Sequence, residues 1–254
     1  PRYILPDYEK FMKEGCKFLE LAPPTNIWEA THALLIFYKH VPSITTMPVY
    51  IGNLDTLLEP FVKDEDEARL AIKLFLTHID RTITDSFCHA NIGPYATKAG
   101  QIILEVEREL ENATPNITLK YSEVTPKAFA IEGIKTALKT AKPSFANDKM
   151  FTQDLGNYGI ASCYNGLPVG GGAHTLVRMN LVKLAHIAKS VEDFFEVKLP
   201  QAMAAMAEYI EERIRFLVEE STFFETHFLV KEQFIRKDNF TSMFGLVGLA
   251  ECVN

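Results

Sequence analysis

Apolar positions along the first two thirds of the chain alternate between helical spacing and short continuous runs. Ala30, Ala33, Leu34 and Phe37 fall on one face of a helix opened by Asn26, with Glu29 three residues later in the capping-box pattern. Val41, before Pro42, marks its end, because proline disfavours helical geometry in the preceding residue. A buried strand is expected over 47–52, then a helix over 66–83 with Ala68, Ile72, Phe75 and Ile79 inward and Arg69 and Lys73 outward. The strand over 87–92 stops at Gly93-Pro94, and the helix over 98–112 is amphipathic through Ile102, Ile103, Val106 and Leu110. A strand over 117–121 precedes a helix for which Thr125 is the expected cap and Pro126 the first-turn proline. Extended pieces over 144–147 and 158–163 follow, and an earlier short strand is expected over 18–21.

Strands separated by amphipathic helices indicate βαβ units and a mainly parallel sheet, an α/β fold. Such sheets gather functional groups at the carboxyl ends of their strands. Gly52-Asn53, His89–Asn91, Asn147-Asp148 and Cys163–Asn165 all stand at those ends. Farther on, a strand over 175–181 leads to a helix ending near 190. A long helix over 200–220 then turns Met203, Met206, Ala207, Ile210, Ile214 and Leu217 inward.

The composition narrows the class. Of 254 residues, 47% are hydrophobic and 23% charged, as in soluble globular proteins. A net charge of -7 without a lysine or arginine cluster argues against a nucleic-acid partner. The longest apolar runs fall far short of the roughly 20 residues that span a bilayer. With no signal peptide, a cytoplasmic protein with reduced thiols is expected. Cys16, Cys88, Cys163 and Cys252 are widely separated, with no C-x-x-C, and there is no H-x-x-x-H or aspartate cluster, so no metal site is expected. The chain lacks an initiator methionine and stops within an apolar element, so the expectation is one domain over 1–254, cut at both ends.

The stretch 158–185 holds the candidate chemistry. Cys163 ends a strand, and a Tyr-Asn-Gly turn and Gly170-Gly171-Gly172 follow. Taken alone, a cysteine is more often a buried structural thiol than a reactive one. A thiol nucleophile would need a base, for which His89 and His174 are candidates. The glycines lack the lysine of a phosphate-binding loop, so a flexible or close-packed turn is the simpler account. His89 and Asn91 suit either a structural hydrogen bond or a substrate contact.

These motifs together resemble the glycyl radical enzymes, which include pyruvate formate-lyase and anaerobic ribonucleotide reductase. Asn157–Cys163, the glycine-rich turn and Arg178–Ala185 resemble their cysteine loop. Lys142–Asp148 resembles the segment one strand earlier, and Met243–Glu251 an element of the second half-barrel. The opening Pro-Arg-Tyr-Ile-Leu-Pro-Asp, His89–Pro94 and Ser162–Asn165 are most similar to the YjjI-type members. The resemblance implies part of a ten-stranded α/β barrel: the first five-stranded half, the cysteine finger loop and the start of the second half. It implies that Cys163 carries a thiyl radical that takes hydrogen from a small-molecule substrate in anaerobic metabolism. His89, Asn91, Asn165, Asn147 and Glu251 become the expected substrate-binding residues. No directly bound cofactor is implied; the radical would come from a glycine in a missing C-terminal part, installed by a radical-SAM activating enzyme. This fragment alone would then be inactive, and the whole protein could be a homodimer.

Three departures limit what the resemblance implies. Ser162 stands where pyruvate formate-lyase has a second cysteine, which argues against an acyl-thioester. Asn165 stands where dehydratases carry a glutamate base. The Arg-Val-x-Gly-aromatic motif of the glycyl loop is absent. The alternatives are a cysteine-dependent hydrolase or transferase and a non-catalytic α/β binding scaffold.

Overall fold

A computed structural model describes residues 1–41, 49–82, 88–161 and 164–253. Strand β1 (Tyr3–Leu5) leads into α1 (Tyr8–Glu14) and α2 (Ile27–His40). A βαβ series follows: β2 (Val49–Asn53), α3 (Leu54–Leu58), α4 (Glu65–Thr82), β3 (Cys88–Ile92) and α5 (Lys98–Leu110). It continues through β4 (Asn116–Tyr121), α6 (Lys127–Thr140), β5 (Ser144–Asn147) and α7 (Asp148–Leu155). Strands β6 (Tyr158–Ala161) and β7 (Asn165–Pro168) precede the long β8 (Gly171–Asn180). Helices α8 (Leu181–Ile187), α9 (Val191–Asp193), α10 (Leu199–Arg215), α11 (Phe223–Thr226) and α12 (Phe228–Lys231) come next. Strand β9 (Phe240–Val247) and α13 (Leu249–Val253) complete the described chain.

Among the described residues, β2-β3-β4-β5 form a parallel sheet, and β1 packs beside β2 without joining its ladder. Strand β8 pairs antiparallel with β1 and parallel with β9. The α/β fold with a parallel sheet is therefore as expected. The last strand of the expected parallel series is different: β6 pairs antiparallel with β7 in a two-stranded hairpin. Cys163 and Ser162 lie outside the described residues, as do parts of the expected strands over 47–52 and 87–92 and the last residue of the helix over 66–83.

The parallel strands alternate, which governs everything near the site. Ile51, Cys88, Ala90, Ile92, Ile117 and Leu119 share one core with Ile72, Phe75, Ile79 of α4 and Ile103, Val106 of α5. Residues of opposite parity, beginning with Tyr50, His89, Asn91, Thr118 and Lys120, belong to the other face. That core extends through Tyr8, Phe11, Phe37 and Phe234, with Phe11 and Phe37 stacked at 4.1 Å between ring centroids. Each such aromatic pair adds about 0.5–1.5 kcal/mol beyond its buried area. A second cluster joins Met179, Leu181, Phe194 and Met206.

Several local expectations are corrected. Residues 18–21 form a tight turn closed by the Cys16–Leu21 bridge. The Glu232 carboxylate accepts the N–H groups of Lys17 and Phe18, and Phe18 stacks on Phe228, so tertiary contacts override strand propensity there. Asn26 caps α2 as expected, but Glu29 accepts from the Thr25 N–H, one residue before the capping-box partner. Helix α6 starts at Lys127 with Pro126 as its cap, because the Thr125 hydroxyl accepts the Ser122 N–H instead. Met203 of α10 is exposed while Met206 and Ile210 are buried, since α10 rests on β8 along one narrow stripe. Gly171 and Gly172 lie in β8, close-packed: a Cβ there would stand 2.0 Å from Asn239 O or 2.1 Å from Tyr3 O.

Candidate functional site

Parallel strands covered on both faces usually read as continuous apolar runs. Here one face is polar. Tyr50 is in register with His89, His89 with Asn116, Asn91 with Thr118, and Thr118 with Ser144. The Thr118 and Ser144 hydroxyls are 2.8 Å apart and hydrogen-bonded. At the carboxyl ends of the strands, buried Asp55 accepts from the Gly93 N–H at 2.9 Å and the Thr97 hydroxyl at 3.1 Å. Burial outweighs these bonds and raises its carboxyl to about 6. The Asn53 amide donates to Gly93 O at 3.0 Å, so the ends of β2 and β3 are tied together.

The β6–β7 hairpin covers this polar face. Asn91 uses its side-chain amide as a strand would use its backbone: Nδ2 donates to Ile160 O at 3.0 Å and Oδ1 accepts from Ile160 N at 2.7 Å. Lys120 Nζ donates to Tyr158 O at 2.8 Å and lies 4.2 Å from the centre of the Tyr158 ring. Between these two, Gly159 meets Tyr50 so closely that a Cβ would stand 2.5 Å from its Cζ. The Tyr158 hydroxyl donates to Asp148 Oδ1 at 2.9 Å, and Phe151 stacks on the same ring. Burial pulls the Lys120 amine down to about 8, against the opposing pull of Asp148, Asp55 and Glu9.

His89 is the outlier. It is 2% exposed, and neither ring nitrogen has a hydrogen-bond partner among the described residues. Its ring meets Tyr164, the residue after Cys163, edge-on at 6.3 Å. Burial lowers its pKa from 6.5 to about 4, so it is neutral at physiological pH. A buried polar group left unpaired costs about 1–3 kcal/mol, so a partner for this imidazole would be rewarded.

This predicts a measurable pH dependence. The unfolded chain binds the His89 proton below 6.5 and the folded chain only near 4, so stability falls with acidification across that window. The full effect is about 3 kcal/mol, at roughly 1.4 kcal/mol per pH unit. His89→Leu should flatten the slope of unfolding free energy between pH 6.5 and 4; an unchanged slope would sink the assignment.

Of the expected site residues, Asn91 and His89 of β3 meet the hairpin at Ile160 and Tyr164, and half-buried Asn165 opens β7 opposite Ala161. Asn147 instead caps α7 by accepting the Met150 N–H. Glu251 is exposed on α13, which packs on α8. His174 on β8 is 3.2 Å from Thr241 O and packs on Phe224 and Phe240. The pattern reading missed Tyr50 and Lys120. The available signal was the alternation Ile117-Thr118-Leu119-Lys120, which puts polar side chains on one face of a buried parallel strand. Among the described residues no group of three histidine, cysteine or acidic side chains could hold a metal ion, and no helix is long and apolar enough to cross a membrane.

Comparison with known proteins agrees with this architecture. An uncharacterized protein of Haemophilus influenzae is 53% identical over 256 residues, covering all of this chain and 50% of the relative. The uncharacterized protein YjjI of Escherichia coli is 45% identical over 261 residues, with the same coverage. The chain thus spans about half the length of these relatives. The anaerobic ribonucleotide reductase of Thermotoga maritima, solved with citrate in its active site, superposes with a TM-score of 0.71 at 11% identity. That match covers 100% of this chain and 55% of the reductase, and it establishes a shared fold. The model of the glycyl radical enzyme YjjI-like family matches residues 1–254, and the chain belongs to that family.

Proposed function

We propose that the full-length protein is a radical enzyme in which Cys163 abstracts a hydrogen atom from a small-molecule substrate held beside the β6–β7 hairpin. The observation that carries this reading is His89, a buried imidazole without a partner, set against the residue that follows Cys163. A glycyl radical elsewhere in the full-length protein would supply the oxidising equivalent by taking the hydrogen of the Cys163 thiol. The Cys163 sulfur then takes hydrogen from a substrate C–H bond, and the S–H bond re-forms as a carbon radical is left on the substrate. His89 and Asn165 are the proposed substrate contacts. Such intermediates require a site that is closed to water in the full-length protein.

Ser162 leaves Cys163 without an adjacent thiol, which disfavours acyl transfer, and Asn165 offers no base for a dehydration. The cysteine-hydrolase reading finds little support, because an imidazole with a pKa of about 4 is a poor base for a thiol at neutral pH.

The test needs no substrate. The full-length protein, activated anaerobically by a radical-SAM activating enzyme, should show a glycyl doublet by electron paramagnetic resonance. In D2O the Cys163 thiol becomes S–D; reversible transfer to the glycine replaces its hydrogen by deuterium, and the doublet collapses to a singlet. A competent activating enzyme that produces no doublet would overturn the radical reading, and a doublet that persists in D2O would overturn the role of the thiol.

A further inference from the structure

We infer that Asn91 and Lys120 are positioning residues that fix the hairpin strand leading into Cys163. The inference rests on the radical reading above and assigns these two side chains to hydrogen transfer rather than to substrate. Three consecutive residues ahead of Ser162 and Cys163 are held from three different strands. Tyr158 O is held by Lys120 of β4, Gly159 by the ring of Tyr50 of β2, and Ile160 by Asn91 of β3.

Two features separate this arrangement from ordinary packing. First, Asn91 and Lys120 grip backbone atoms, so they fix the path of the chain whatever side chains the hairpin carries. Hydrogen bonds run from β6 to β7, and the Asn91 amide supplies a peptide-like pair on the other side of β6. Second, Lys120 is 7% exposed, and its ammonium donates to the Tyr158 carbonyl. Burying an ammonium group is costly, and a neutral donor could satisfy Tyr158 O more cheaply. The ammonium provides a shorter, stronger, charge-assisted bond and a second hold on the Tyr158 ring. That ring is also fixed by Asp148 and Phe151 of α7. The result is a strand held at Tyr158, Gly159 and Ile160, which leaves those residues little freedom to move. Hydrogen transfer depends steeply on placement, and an error of about 1 Å in a reacting group costs roughly 100-fold in rate.

The deuterium experiment on the full-length protein tests this without a substrate. Lys120→Met and Asn91→Leu should accumulate the glycyl doublet to wild-type yield and collapse it in D2O roughly 10- to 100-fold more slowly. Asn91→Asp, which keeps the acceptor for the Ile160 N–H but loses the donor, should be intermediate, and Lys120→Arg should recover most of the rate. Amide exchange provides a second readout: the Ile160 N–H should exchange about tenfold faster in Asn91→Leu while β4 amides keep native protection. Collapse at the wild-type rate in both Lys120→Met and Asn91→Leu would overturn the inference. So would unchanged Ile160 exchange in Asn91→Leu, which decides the matter even where a variant accumulates no radical. A wild-type protein without a doublet overturns the radical reading instead, so the two failures are distinguishable.

Discussion

Cys163→Ser in the full-length protein should form the glycyl doublet and then hold it unchanged in D2O. Hydrogen transfer between a donor and a glycyl radical runs in both directions only when the two bonds have comparable strength. A thiol S–H meets that condition, whereas a serine O–H is far stronger and gives no measurable transfer. The other thiols are poorly placed to substitute. Cys16 is buried and its pKa is raised to about 11 by that burial, and Cys88 lies fully inside the core on the helix-facing side of β3. Cys252 is half-buried on α13. The measurement is the rate of doublet collapse in wild type and Cys163→Ser, activated in parallel. A variant collapsing as fast as wild type would show that another group exchanges with the glycine and would remove Cys163 from the mechanism.

Lys142→Met should be the most damaging substitution for stability away from the hairpin. Lys142 Nζ lies 2.7 Å from Glu107 Oε2, and the two side chains are 7% and 0% exposed. Lys142 also donates to Pro115 O at 2.9 Å. Glu107 is already pushed above the usual carboxylate range, chiefly by burial, with Lys142 opposing the shift. Removing the ammonium leaves a buried carboxyl without compensation, a loss of about 3–5 kcal/mol in comparable pairs. The sign of the pH dependence follows. An acid whose folded pKa is raised binds protons more tightly when folded, so its penalty is absent below the unfolded value of 4.5 and grows as pH rises through the folded value. The Lys142→Met deficit should therefore be small near pH 4.5 and larger at neutral pH. Lys142→Met combined with Glu107→Leu should recover most of the loss, leaving about 1 kcal/mol for the unpaired Pro115 carbonyl. Denaturant titrations at both pH values measure this. A double variant as unstable as the single one would show that the ion pair is not the cause.

Much of the fold was legible because local pattern and tertiary structure agree along the βαβ series. The helix over 66–83 appears as α4, Glu65–Thr82, because Ala68, Ile72, Phe75 and Ile79 form an unambiguous stripe that only the sheet can cover. Residues 117–121 appear as β4 because alternation with period two has a single solution against a helical layer. The turn at 18–21 was illegible because Glu232, more than two hundred residues away, supplies the acceptor that bends it. The hairpin was misassigned for a related reason. The run 158–161 is apolar enough for a parallel strand, and periodicity says nothing about which neighbour a strand pairs with.

The sequence alone therefore determined the layer of helices, the succession of parallel strands, and the family, through the motifs around Cys163. These are local properties: spacing, caps and short runs whose meaning does not depend on distant residues. The tertiary structure alone decided what the polar face of the sheet does. Asn91, equally suited to substrate or structure in the sequence, grips Ile160. Lys120, indistinguishable from a surface lysine, is buried against Tyr158 O, and His89 is left without a partner beside the hairpin. Burial and pairing depend on which residues sixty-nine or thirty-eight positions apart are brought together, and only the folded chain supplies that information.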